Sequence, residues 1–130
     1  MNADSPAEIF GKPIYTYSRR QALEDGFQID ISATAREAGF RWPMFINRTV
    51  WEAYVSVPEG MRGQDEAGRL WDIVSMFRCA AGKGGEVCLF KLHVRNDNRH
   101  PKVVTLKAQC GPKDIDDQAP AITIMLLDED

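Results

Sequence analysis

Residues 86–110, EVCLFKLHVRNDNRHPKVVTLKAQC, hold two runs of alternating residues around a polar centre, and they constrain the fold more than any other part of the chain. Cys88, Phe90, Leu92 and Val94 share one parity, and Val104, Leu106, Ala108 and Cys110 share one in the second run. A period of two puts each set on one face of a strand. Lys91, His93 and Arg95 in the first run, and Thr105, Lys107 and Gln109 in the second, then face water. Asn96-Asp-Asn-Arg-His100 before Pro101 is turn chemistry. The segment predicts an antiparallel hairpin with one packed and one wetted face.

The rest of the chain reads as short helices and strands. Residues 1–14, with Pro6, Gly11 and Pro13, show no period and are expected to form a flexible N-terminal arm, leaving 15–130 as one domain. Ser18 with Gln21 has the form of a capping box, and Gly26 stands where a helix would stop, so a helix is expected over 19–25. Alternation over 27–31 predicts a strand with Phe27, Ile29 and Ile31 buried. Ser32 or Thr34 caps a further helix, answered by Glu37 and closed by Gly39. Pro43 limits 40–45 to an edge strand or an extended connector. Asn47 or Thr49 starts the next helix, Thr49 pairing with Glu52 as a second capping box, and Pro58 and Gly60 end it.

Residues 59–68 read as a loop. The strongest helical period lies over 69–81, where Leu70, Ile73 or Val74, Phe77 and Ala81 recur every three to four residues before three glycines. Trp51 and Trp71 are expected to anchor the core. Residues 111–120 read as a polar loop and 121–127 as a third strand beside the hairpin. The expected fold is α+β: an antiparallel sheet built on a C-terminal three-stranded meander, packed against N-terminal and central helices.

Composition narrows the function classes. The chain of 130 residues has 44% hydrophobic and 27% charged residues, which suits a globular domain and not a disordered one. No apolar run approaches the ~18 residues of a membrane span, and MNADSPAEIF lacks the basic and apolar regions of a signal peptide, so a cytoplasmic protein with no membrane partner is expected. Cys79, Cys88 and Cys110 lack metal-ligand spacing and read as buried thiols. The net charge of −3 conceals a division: residues 1–66 carry −3, residues 67–110 carry +5 and residues 111–130 carry −5. The basic block contains the hairpin and an acidic segment follows it, so the two either neutralise each other, stay solvated or form binding surfaces.

No motif specifies a reaction. His93 and His100 are the only histidines, and neither has a serine or cysteine nucleophile nearby; Cys88 and Cys110 fall on the opposite, packed face. A metal site from His93, His100 and Asp97 lacks any spacing signature. The glycines of Gly82-Lys-Gly-Gly85 follow a helix and precede a strand, the reverse of a phosphate loop. No cofactor and no catalytic or metal residue is assigned. The candidate binding residues are Lys91, His93, Arg95, Arg99 and Lys107 on the hairpin, and Asp114, Asp116 and Asp117 in the acidic segment. Arg95, Arg99, Lys102 and the two hairpin lysines can meet phosphates or an acidic protein surface, but no exposed aromatic pair stands among them for base stacking.

Tyr17-Ser-Arg-Arg-Gln-Ala22, Thr34-Ala-Arg-Glu-Ala-Gly-Phe-Arg41 before Pro43, Thr49-Val-Trp51, Gln64-Asp-Glu, Gly68-Arg-Leu-Trp-Asp72, Thr105-Leu-Lys-Ala, Cys110-Gly-Pro112 and Pro120-Ala-Ile-Thr-Ile-Met125 resemble an uncharacterised family of small proteins carried by plasmids and integrative elements. The resemblance spans residue 15 to the C-terminus and carries no active site. It implies a setting, since small accessory proteins of mobile elements often antagonise restriction or CRISPR complexes. The expected function is therefore non-catalytic inhibition of a host defence complex, a protein or ribonucleoprotein. There the acidic segment could mimic nucleic acid, or the basic hairpin could grip an acidic subunit. The alternatives are a nucleic-acid-binding accessory protein using Lys91, Arg95, Arg99 and Lys107, and a small hydrolase or transferase with a histidine base.

Overall fold

A computed structural model describes residues 17–83 and 85–130, so the arm expected over 1–14 lies outside the described residues. In chain order the elements are α1 (Arg19–Glu24), β1 (Gln28–Asp30), α2 (Ser32–Glu37), β2 (Met44–Asn47), α3 (Arg48–Val50) running into a π turn (Trp51–Val55), α4 (Glu66–Ala80), β3 (Val87–Val94), β4 (Lys102–Asp114) and β5 (Asp117–Met125). The strands form one sheet in the order β1-β2-β5-β4-β3. The α+β class holds, but the sheet is mixed: β3, β4 and β5 pair antiparallel in chain order, and β5 then takes β2 in parallel.

One sheet face carries the core. Ile46, Phe90, Leu92, Leu106, Ala108, Ile122 and Ile124 meet Ala35 of α2, Val50 and Val55 of α3 and its π turn, and Leu70, Ile73, Val74 and Phe77 of α4. Phe77 links the layers, stacking on Phe40 at 5.1 Å and tilting against Phe90 at 5.4 Å. The hairpin registers as its alternation predicts, with Phe90 opposite Leu106 and Lys91 opposite Thr105. Of the described helices, α1 lies on the other face, where the Arg19 guanidinium sits 4.1 Å above the Phe45 ring.

Local signals succeed where they are self-contained. Ser18 and Gln21 form both halves of the capping box at 3.0 Å each. Both short helices end on glycines with positive φ, Gly26 (79°) and Gly39 (98°). In each case the residue after the glycine donates to the carbonyl five back, Phe27 to Ala22 and Phe40 to Ala35, which completes a Schellman closure. A Cβ at Gly39 would also lie 2.4 Å from the Arg78 guanidinium, which would have to swing away, so the positive φ is what requires glycine there.

Other expectations are corrected. Residues 111–120 are not a loop. Strands β4 and β5 continue through them to a tight turn at Ile115 and Asp116, since each strand satisfies the other's backbone groups despite the polar side chains. The segment after Pro43 is not an edge. Pro43 stands outside β2 and its carbonyl accepts from the Ile122 N–H at 3.0 Å, so β2 runs between β1 and β5. Helix α4 begins at Glu66, because the Asp65 side chain accepts from Gly68 at 2.7 Å and caps it earlier than the apolar period starts. Thr34 makes no cap, and Thr49 bonds Glu129 instead of closing a box with Glu52. Phe27 is exposed, since the Schellman closure places it before β1. Trp71 is exposed too, lying about 100° round α4 from the buried Leu70. Cys79 is exposed, and Cys88 and Cys110 are half-buried.

A single buried cation ties the helical layer to the hairpin. Arg69 is 6% exposed, and its guanidinium donates to the carbonyls of Tyr54 (3.0 Å) and Arg95 (2.8 Å), to Gln64 Oε1 (2.7 Å) and to Asn96 Oδ1. Asn96 in turn donates to the Ala53 carbonyl at 2.9 Å. The π turn frees carbonyls at its end, and Arg69 and Asn96 satisfy them. Arg69→Met strands these acceptors and is expected to destabilise the fold by roughly 3 kcal/mol, read from urea midpoints. Arg69→Lys recovers less than half of that, because an ammonium cannot span the fork. Equal stability of the lysine variant and the wild type would refute the clamp.

Candidate functional site

Opposite the helical layer the sheet is covered unevenly. Toward β1, β2 and β5 it is roofed by α1 and by the C-terminal turn. Glu129 accepts from Thr49 Oγ1 (2.7 Å), the Asn47 side-chain amide (3.2 Å) and the Leu126 N–H (2.9 Å), and Lys107 Nζ donates to its carbonyl. Phe45, Thr123 and Met125 are buried beneath this cover. A groove of about 870 Å³ remains between α1 and the turn, edged by Arg19, Arg48, Lys113 and Glu129 and floored by Thr123 and Met125.

Toward β3 and β4 the same face is bare of any cover from the described residues. Register and alternation put Val87, Leu89, Lys91 and His93 beside Gln109, Lys107, Thr105 and Val103. Val87 is 50% exposed, and Leu89 and Val103 are each 58% exposed. Three aliphatic side chains thus stand in water beside two lysines and a histidine. Scattered surface aliphatics need no explanation, but Val87 and Leu89 adjoin on β3 with Lys91 and Lys107 at their side, and Val103 stands beside His93 one rank beyond Lys91. This is the candidate site.

The structure divides the residues singled out from sequence. Lys91, His93 and Lys107 share the bare face. Arg95 has left it: beyond the end of β3, its guanidinium donates to the Arg62 carbonyl at 3.1 Å and its own carbonyl serves Arg69. Arg99 is exposed in the turn, its N–H donating to the Asp97 carboxylate. His100 shares that turn, far along the chain from any cysteine on its face.

The acidic residues lie elsewhere. Strand β4 runs from Lys102 to Asp114, so the basic turn and the acidic tip are roughly 40 Å apart at the ordinary strand rise. They do not form one surface. Asp114 accepts from the backbone N–H groups of Arg19 (3.0 Å), Arg20 (3.1 Å) and Ile115 (2.8 Å), so it anchors the start of α1. Asp116 pairs with Arg20 at 3.5 Å in full solvent, and Asp117 accepts from the Ala119 N–H. Strand β5 of the acidic segment pairs with β4 of the hairpin through backbone groups, and Lys107 Nζ donates to the Glu129 carbonyl.

Sequence reasoning passed over Val87, Leu89 and Val103. Their parity with Lys91, His93 and Thr105 was visible, but aliphatic residues near a strand are ordinarily assigned to the core. On the other face, Phe40, Trp42, Phe77, Cys88 and Cys110 line a cleft of about 570 Å³, and burial followed by the nearby Glu86 charge pushes the Cys110 thiol pKa up. Among the described residues no group of three or more histidine, cysteine or carboxylate side chains is placed to hold a metal ion. Compared with protein-family models, with curated proteins and with solved structures, the chain matches none.

The two anchoring carboxylates set an acid limit on this arrangement. Burial pushes Asp114 up, but the Ile115, Arg20 and Arg19 N–H groups and the Arg20 charge outweigh it and hold the carboxyl below its ordinary range. Burial likewise raises Glu129, and Leu126, Thr49, Asn47 and Lys107 more than reverse it. Both folded-state values are depressed, so the stability they contribute is present above the unfolded value near ~4 and is lost as pH falls through the folded one. Asp114→Asn and Glu129→Gln each are expected to cost about 1 kcal/mol at neutral pH, with the gap to wild type closing in acid. Urea midpoints at both pH values check this, and a gap independent of pH would contradict it.

Proposed function

We propose that the protein inhibits a host defence complex by binding it, without catalysis, as an accessory protein of a mobile element. The observation that carries the binding reading is the bare end of the sheet, where Val87, Leu89 and Val103 adjoin Lys91, His93 and Lys107. The adjoining Val87 and Leu89 supply aliphatic area to be desolvated, and Lys91, Lys107 and His93 beside them steer an acidic partner and fix its orientation. The setting comes from the resemblance to small proteins of plasmids and integrative elements.

The same observation favours a protein over a nucleic acid. The bare face offers aliphatic side chains and no Phe, Tyr or Trp ring on which a base could stack, and neither Arg95 nor Arg99 lies on it. The acidic tip is a poor mimic of a phosphate backbone, because Asp114 spends its charge on the start of α1.

Plasmid-interference assays with restriction and CRISPR complexes, combined with co-migration on gel filtration, test the proposal. Wild type is expected to reduce interference and to co-migrate with one complex. Leu89→Asp, which places a carboxylate in the aliphatic centre, is expected to weaken binding by about thirtyfold, a loss of roughly 2 kcal/mol. Unchanged defence with no co-migration refutes the inhibitor reading. A gel shift with DNA or RNA whose affinity falls steeply with salt replaces it with the nucleic-acid reading.

A further inference from the structure

We propose that the outer edge of β3 receives an extended, acidic segment of the partner as a sixth strand of the sheet. This deepens the protein-binding reading of the bare face and rests on it. The phase of the β3–β4 ladder carries the inference. Cys110 donates to the Glu86 carbonyl at 2.7 Å, and the register continues from that pair through Cys88 with Ala108, Phe90 with Leu106 and Leu92 with Val104. In an antiparallel ladder the residues of such pairs spend both backbone groups on each other, and the residues between them direct theirs outward. Val87, Leu89, Lys91 and His93 therefore point their N–H and C=O groups away from β4. Strand β3 ends the sheet, and among the described residues no element pairs with it on that side.

The four residues with outward backbone groups are the same four whose side chains stand on the bare face. A strand added at this edge would gain main-chain hydrogen bonds, and every second side chain of it would lie beside Val87, Leu89, Lys91 or His93. Strand addition draws affinity from the first and specificity from the second. The edge is eight residues long, enough for several such bonds.

Charge selects the occupant. Two copies of this chain joined edge to edge would bring Lys91 and His93 of both together on one face, with Lys107 one strand inward on each side. Like charges at such a junction disfavour it, which is how edge lysines guard natural sheets. An incoming strand with Asp or Glu beside Lys91 and His93, and aliphatic residues beside Val87 and Leu89, meets the opposite condition. The partner segment is thus extended and acidic at one end, aliphatic at the other.

The probe is the capped peptide Glu-Thr-Glu-Thr-Val-Thr-Val, whose antiparallel alignment sets its glutamates beside His93 and Lys91 and its valines beside Leu89 and Val87. It is titrated into the full-length labelled protein while amide hydrogen exchange is followed by NMR. Exchange at Leu89 and Lys91 is expected to slow by about tenfold at saturation, and Lys91→Glu is expected to weaken the peptide by at least about tenfold. Leu89→Pro removes an outward N–H that the sheet does not use, so it is expected to abolish binding with the melting curve nearly kept. If that variant fails to fold, Lys91→Glu and the exchange pattern still decide.

No binding at about 1 mM peptide, equal binding by Leu89→Pro, or binding without protection at Leu89 and Lys91 overturns the proposal. So does slow exchange at those amides in a peptide-free dimer, which would make a second copy the occupant. In the co-migration assay, a defence complex that binds Leu89→Pro as well as wild type removes strand addition and leaves the protein-binding reading standing. A wild type that binds the peptide but no complex does the reverse.

Discussion

Burying the guanidinium of Arg69 is the commitment on which the arrangement of layers depends. Taking a cation out of water is costly unless its donors are met, and here four of the five guanidinium N–H groups are met by neutral oxygens rather than by a carboxylate. Burial lowers the Arg69 pKa, and the charge of Asp72 opposes that shift from a distance. The acceptors belong to four separate places: the end of the π turn, the approach to α4, the end of β3 and the turn beyond it. Each would carry an unmet polar group without the others. The clamp therefore fixes where the helical layer meets the sheet and where β3 stops.

That placement decides what the other face can do. Helices α2, α3 and α4 bury one side of the sheet, so among the described residues α1 and the C-terminal turn are what covers the other. They reach across β1, β2 and β5, held by Asp114 at the start of α1 and by Glu129 over Asn47, Thr49 and Lys107. Nothing among the described residues covers β3 and the adjoining part of β4. The bare aliphatic and basic patch is the remainder left when a short helical complement is shared between two faces of a five-stranded sheet.

The charge division along the chain also resolves into something other than two opposed surfaces. Two carboxylates of the acidic segment are engaged locally, Asp114 by backbone N–H groups and Glu129 by the Asn47 and Thr49 side chains and the Leu126 N–H. Exposed pairs such as Arg20 with Asp116 contribute little. Asp114 thus anchors α1 and Glu129 latches the C-terminal turn, while Lys91 and His93 of the hairpin lie on the bare face of β3.

Much of this was legible in the residues themselves. The alternation through Phe90 and Leu106, the Ser18–Gln21 capping box and the glycines at 26 and 39 depend only on neighbours within a few positions, and each is realised in the structure. The candidate lysines were legible for the same reason, since alternation alone places Lys91 and Lys107 on one face. What neighbours cannot specify is who pairs at long range. The parallel union of β2 with β5 turns a proline-preceded segment into an interior strand, and the β4–β5 ladder extends through side chains that read as loop. Thr49 abandons its local partner for Glu129, eighty positions away. The exposure of Val87, Leu89 and Val103 is of the same kind. Strand parity put them on the face away from the core, but only the order of strands, with β3 at the edge and α1 too far away to reach it, left that face open to water.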